Sequence, residues 1–385
     1  MSWHTTARKA GVIHILPAEN AGPQSVWLAF LLHLSGVWRK ASYFSASKSG
    51  LRAFAQPVLE RCFLHRYNKT VKLYPLKFEP IFKQRIWGGQ KLRDIFNKDI
   101  PPFERIGESW ELADLPDDKS VIANGELAGQ TLNSAIKKYP KEITGDEKFC
   151  GPFPLLIKFL DAQDILSVQV HPDEQTCRRL GKGTPKTECW YIISATPGAV
   201  IYKGLKKGVT KEKFAEAIKK GTVAELLAKV PVEAGQCHFL PGGTAHSIGA
   251  GLLIAEIQTP SDTTYRVFDF DRVDQSGKSR PLHIQQALES IHFGASGDNL
   301  SVTTIGRLVD CEYFKIDKGH QAKDCKMLLS PGRMKTLIIL TGGGTVLAPD
   351  EAKVEFRAGD CLLIPAEYKG AMRFADDTQY LTITI

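Results

Sequence analysis

Gln169 and His171 stand two residues apart in SVQVHPDE, an apolar run that Pro172 cuts short. In a strand, residues i and i+2 project to one face, so an amide and an imidazole aim the same way. Such a pair can reach a metal, or it can cap a strand end and satisfy itself. The stretch alone leaves both open. Further along, GQCHFLPGGTAHS carries Gly235, Pro241, Gly243 and His246 with the spacing G-x5-P-x-G-x2-H. Gly235 opens a turn into a strand, and Pro241 with the glycines after it makes a tight turn that delivers His246 beyond it. Taken singly, His246 could cap a turn and Glu188 could be an edge charge.

The second spacing resembles a motif of the cupin superfamily, whose small β-barrels hold a metal between two such motifs. On that resemblance Gln169, His171 and Glu188 supply a variant of the first motif, and His246 completes the set. Two imidazoles, a carboxylate and an amide suit one Zn2+ per chain, and positions left open on the ion would make it catalytic.

The blocks IWGG, GESWELA, LLIKFLDAQDILSVQVHPDE, KTECWYII and PGGTAHSIGAGLLIAEIQTPSDTTYRVFDFDR follow one another in order. Together they resemble the type I mannose-6-phosphate isomerases, most closely the short bacterial form, over residues 72–385. The resemblance implies that the four ligands bind zinc. It also implies that mannose 6-phosphate and fructose 6-phosphate interconvert by proton transfer between C1 and C2 through a metal-stabilised enediolate.

That chemistry needs a base, a carrier for the developing charge and an anchor for the phosphate. Arg266, in TYRVFDF, lies at a position resembling the family's essential arginine, with an ion pair to Asp262 or Asp269 as the alternative. Lys186, two residues before Glu188, shares its face in a strand, where an unused ammonium would be costly. Ser167 shares the face of Gln169 and can donate to substrate. Glu256 sits in the apolar run LIAEIQT, where an unpaired carboxylate is expensive. Both that cost and the resemblance mark it as the base. Arg272 falls near a lysine of some relatives and is a candidate substrate contact, unless Asp269 and Asp271 neutralise it.

The elements that must position these residues are short β-type runs separated by turns, among them CWYIISA, AVIYKG, GLLIAEIQT, CLLIPA and YLTITI. They predict a mainly β fold of two cupin-type jelly-roll barrels. One helical insertion, at about residues 207–230, is expected as two short helices, the second capped by Thr222 and Glu225. The expected domains are a leader at 1–70, a metal-binding catalytic domain at 71–304 and a β domain at 305–385. In the last, Gly359 and Pro365 repeat G-x5-P, but Glu367 and Gly370 replace the second glycine and the histidine. That barrel is therefore expected to be metal-free and structural.

The net charge of +8 over 385 residues is concentrated in residues 1–70, which hold nine Lys/Arg and two acids. The body has no field to attract a polyanion, so a nucleic-acid partner is not expected. The resemblance implies a small sugar phosphate as partner, and oligomeric state is left open. The apolar stretch from Val26 to Trp38 is too short and interrupted for a comfortable span, and no membrane partner is expected. The leader reads as disordered or non-native, with translation starting near Val71, or else as a transit peptide or an interfacial helix. Eight scattered cysteines without a Cys-x-x-Cys pair fit a reducing, cytoplasmic setting. Two other functions fit a cupin: an iron-dependent dioxygenase and a non-catalytic sugar-binding protein.

Overall fold

In the Leu252–Gln258 strand, Ile254, Glu256 and Gln258 point to one side and Leu253, Ala255 and Ile257 to the other, and all seven residues are buried. A strand covered on both faces is a central one. The computed structural model describes residues 72–274, 276–294, 300–301, 305–348 and 353–385. The expectations for residues 1–70 lie outside these.

The Leu252–Gln258 strand lies between Glu188–Ala195 and Leu156–Ala162 in an antiparallel sheet of seven described strands, which also contains Cys237–Leu240, Ile106–Leu112 and Ile81–Gly89. A second antiparallel sheet runs in the order Tyr265–Phe268, Val168–Val170, His246–Ile248, Val200–Leu205, Leu227–Pro231. The sheets meet through Trp190, Ile192, Leu160 and Ile254 from the first and Ile201 and Ile248 from the second.

Strand periodicity then places the polar groups. His246 is two residues before Ile248, and Glu188 is four before Ile192. Glu256 is two after Ile254. Each therefore faces the opposing sheet, on the same side as its apolar neighbour. One end of the shared interior is apolar and the other is lined by ionisable groups. On its outer face the second sheet is covered by the helices Lys211–Lys220 and Ile284–Ser290, through Phe214, Ala217 and Ala287 against Val168, Val170 and Val267.

A third sheet, of six described strands, includes Lys335–Thr341, Cys361–Ile364 and Thr378–Thr384, and a fourth, of four, includes Gly343–Leu347 and Gly370–Phe374. Leu337, Ile339 and Leu362 from the six-stranded sheet meet Val346, Met372 and Phe374 from the four-stranded one. The short Leu76–Lys77 strand pairs with Cys361–Ile364, so an early segment of the described chain completes a late sheet.

The helical insertion differs from expectation in its second half. Thr210 caps the Lys211–Lys220 helix, accepting from Lys213 N at 3.3 Å, and Gly221 ends it with φ +70°. After it comes only a 3₁₀ turn, Val223–Leu226, and the Thr222 side chain makes no cap bond. Residues 227–231 are a strand paired with Val200–Leu205. Edge pairing outweighs a helical spacing too short to propagate.

Candidate metal centre

Pro172 ends the Val168–Val170 run, and Asp173 caps the Glu174–Leu180 helix by accepting from Thr176 N at 2.7 Å. The turn after Pro241 is tied to the same place, since Gly243 N donates to His171 O at 2.8 Å. Gly243 has φ +88°, and a Cβ there would lie 2.6 Å from the His292 ring. The position thus demands glycine twice over. In this way two loops distant in sequence set His171 and His246 side by side, ring centroids 4.8 Å apart.

Glu188 sits between them. His171 Nε2 lies 3.3 Å from Oε2 and His246 Nε2 3.4 Å from Oε1. One ligand atom from each of these three buried residues lies within 4.8 Å of the others. Each ring is oriented from behind. His171 Nδ1 donates to Thr263 O at 2.9 Å and His246 Nδ1 to Thr244 O at 2.9 Å. A carbonyl only accepts, so Nδ1 carries the proton and Nε2 presents its lone pair to the centre. His171 Nε2 and Glu188 Oε1 are buried without a hydrogen bond, while Glu188 Oε2 is ion-paired with the Lys186 ammonium at 2.8 Å. Unpaired acceptors converging on one point in the interior fit a cation.

The electrostatics agree. Burial, reinforced by the Lys186 charge, pulls the His171 pKa down to about 4, so the ring is neutral at pH 7. Burial also lowers the pKa of His246. Burial works against the Glu188 carboxylate, but Lys186 and the two histidines hold its pKa well below the usual range. Burial equally opposes the Lys186 charge, and there Glu188 and Glu256 win and keep it an ammonium.

Gln169 is in register with His246, and its Nε2 lies 3.2 Å from His246 Nε2. Ser167 Oγ donates to Gln169 Oε1 at 3.3 Å and accepts from Arg266 Nε at 3.2 Å. Arg266 is in turn in register with Gln169. Its guanidinium also donates to Pro281 O at 3.2 Å. Asp269 is engaged elsewhere, by Arg272 Nη2 at 2.6 Å and Arg280 Nε at 2.7 Å. Arg272 further donates to the carbonyls of Asp269 and Ile165. The pKa of Arg266 is lowered, first by burial and then by repulsion from Arg280, with Asp269 opposing.

Glu256 receives Trp190 Nε1 at 3.0 Å and lies 3.3 Å from Lys158 Nζ and 3.8 Å from Lys186 Nζ. Lys158 continues to Glu108, 3.9 Å away, and Glu108 to Arg85 at 2.7 Å. A chain of alternating charge thus crosses the sheet from Arg85 to Glu188. Its members Lys158 and Glu108 were not singled out from sequence. Their signal was present: a lone lysine in LLIKFL and a glutamate in GESWEL, both within fully buried strands.

Strands that bury a His–Glu–His cluster, able to hold a metal ion, between two antiparallel sheets define a cupin-type protein. The model for the type I phosphomannose isomerase catalytic domain matches residues 75–189. The mannose-6-phosphate isomerase of Streptococcus mutans serotype c is 39% identical over 304 residues, 76% of this chain and 94% of that one. The probable mannose-6-phosphate isomerase GmuF of Bacillus subtilis is 44% identical over 307 residues, 77% of this chain and 94% of that one. The crystal structure of the mannose 6-phosphate isomerase from Bacillus subtilis superposes with a TM-score of 0.72 at 29% identity, covering 81% of this chain and 100% of that one. The chain belongs to the type I mannose-6-phosphate isomerases, which are aldose–ketose isomerases. No helix among the described residues is long and apolar enough to cross a membrane.

Proposed function

We propose that this chain interconverts mannose 6-phosphate and fructose 6-phosphate with one Zn2+ held by Gln169, His171, Glu188 and His246. The observation that carries the reading is the convergence of His171 Nε2, His246 Nε2 and the Glu188 carboxylate, all buried. When bound, zinc supplies Lewis-acid polarisation of the sugar oxygens. The protein's own groups do the rest. Arg266, half-buried beside Ser167 and repelled by other arginines, favours an anion and anchors the phosphate. Anchoring there sets the C1–C2 end near the Lys186–Glu256 pair. Glu256, fixed by Trp190 and Lys158, takes and returns the proton between C1 and C2. The Lys186 ammonium stabilises negative charge as it develops. Arg272, bound to Asp269, contributes to substrate binding chiefly by positive field.

Two histidines and one carboxylate would also suit ferrous iron in a dioxygenase. Family membership and a fourth, amide donor favour the isomerase. Incubation of mannose 6-phosphate in D2O tests the reading. Fructose 6-phosphate should form with solvent deuterium exchanging at the C1–C2 positions. Oxygen consumption in place of isomerisation would overturn it, and so would tight sugar-phosphate binding without turnover.

A further inference from the structure

Gln258 closes the Leu252–Gln258 strand directly across from Glu188 and is fully buried. Its Nε2 donates to two backbone carbonyls, Thr259 O at 2.9 Å and Ser261 O at 2.6 Å. Only an NH2 group serves two carbonyls at once, since an oxygen turned toward them would be repelled. Its Oε1 is buried without a hydrogen bond. A buried acceptor left without a partner is a cost to the fold, so the value of this side chain lies in what its NH2 does.

Those two carbonyls begin a loop that folds back on the segment leading to Lys186 and Glu188. Ser261 Oγ donates to Thr184 O at 2.9 Å and accepts from Thr263 N at 3.2 Å. Thr263 Oγ1 accepts from Thr184 N at 2.9 Å. Thr259 N donates to Thr187 O at 3.0 Å, and Thr187 N donates to Thr259 Oγ1 at 3.1 Å. The loop therefore presents the Thr263 carbonyl to His171 Nδ1 on one side and ties down the approach to Glu188 on the other.

We infer that Gln258 is a positioning residue of the metal centre. By holding the Thr259 and Ser261 carbonyls it fixes the loop whose Thr263 carbonyl orients His171, and so keeps His171 Nε2 turned toward Glu188. The inference rests on the metal reading above. Groups that orient a ligand from behind typically change metal affinity or activity by about 10–100-fold when removed.

The test compares full-length wild type with Gln258→Met, which keeps the size and lacks the donors, and Ser261→Ala, which removes a different tie in the same loop. Zinc affinity is measured by competition with a chromophoric chelator. The visible spectrum of the Co2+-substituted protein reports ligand geometry, and melting of the metal-free protein reports stability. Gln258→Met should weaken zinc binding about 10–100-fold and shift the cobalt bands, with metal-free melting within a few degrees of wild type. Ser261→Ala should move affinity the same way, and it decides the matter if Gln258→Met does not fold. Wild-type affinity and spectrum in the variants would overturn the inference, as would lowered melting with affinity unchanged. A wild-type chain that binds no zinc would overturn the metal reading, and this inference with it.

Discussion

His246 stands directly across an antiparallel ladder from Gln169, and their side-chain nitrogens are 3.2 Å apart. Because His246 Nδ1 donates to Thr244 O, its Nε2 is the acceptor for the Gln169 amide. Turning that amide by half a rotation exchanges its two ends. Oε1 then faces the cluster as a ligand, and the NH2 faces Ser167 Oγ, which can accept. Gln169 can thus serve the centre without any backbone movement.

His171→Ala and His246→Ala should each bind less than one-tenth of the wild-type zinc and lose nearly all turnover. Each removes one imidazole from a set of four donors, and the buried Glu188 charge is left less compensated. Metal analysis of the purified variants checks this. Stoichiometric zinc with near-normal turnover in either one would remove it from the ligand set.

Arg266→Ala should keep its zinc and lose about 10²-fold in turnover of phosphorylated substrate, since a misplaced substrate alone costs that much. The guanidinium contacts Ser167 and Pro281 and no ligand of the centre directly. An equal loss toward an unphosphorylated sugar would give Arg266 another role.

Glu256→Gln should retain zinc while exchange of the C2 proton with solvent slows by about 10²–10⁴-fold, the usual contribution of a positioned base. Proton NMR of mannose 6-phosphate in D2O measures it. Exchange at the wild-type rate would exclude Glu256 as the base.

Glu108 makes a prediction about pH. Burial opposes its charge, but Lys158 and then Arg85 hold its pKa down to about 2, against an ordinary value of 4.5. A carboxylate depressed in the folded state stabilises that state fully above about pH 4.5, and this contribution is lost as pH falls toward 2. The shift corresponds to about 3 kcal/mol at neutral pH. Glu108→Gln should therefore lower the urea midpoint at pH 7 markedly, and the gap to wild type should narrow as pH falls below 4.5. A gap independent of pH would assign the loss to packing.

Much of the centre was legible because its ligands lie in local motifs. Strand and turn geometry alone left the Gln169–His171 pair and the Pro241–His246 turn open; it was their resemblance to cupin motifs, each local to a few residues, that joined them into one set. What escaped depends on register between distant strands. Lys158 meets Glu256 and Trp110 only because their strands align at those residues, and alternation along one strand says nothing of its neighbour's offset. The carbonyls of Thr244 and Thr263 carry no side-chain signature at all. The strand at residues 227–231 was hidden for a similar reason: its pairing with Val200–Leu205 is a tertiary fact, while its spacing also suits a helix.

On this mechanism a bound zinc and a sugar-phosphate isomerisation belong to the same buried site. Turnover of mannose 6-phosphate by the purified chain, before and after treatment with a chelator and again after zinc is restored, tests it most directly. Activity should fall at least about 10²-fold when the metal is removed, given the several kcal/mol attributed to such an ion, and return when one zinc per chain is added. Full turnover by protein shown to contain no metal would contradict it.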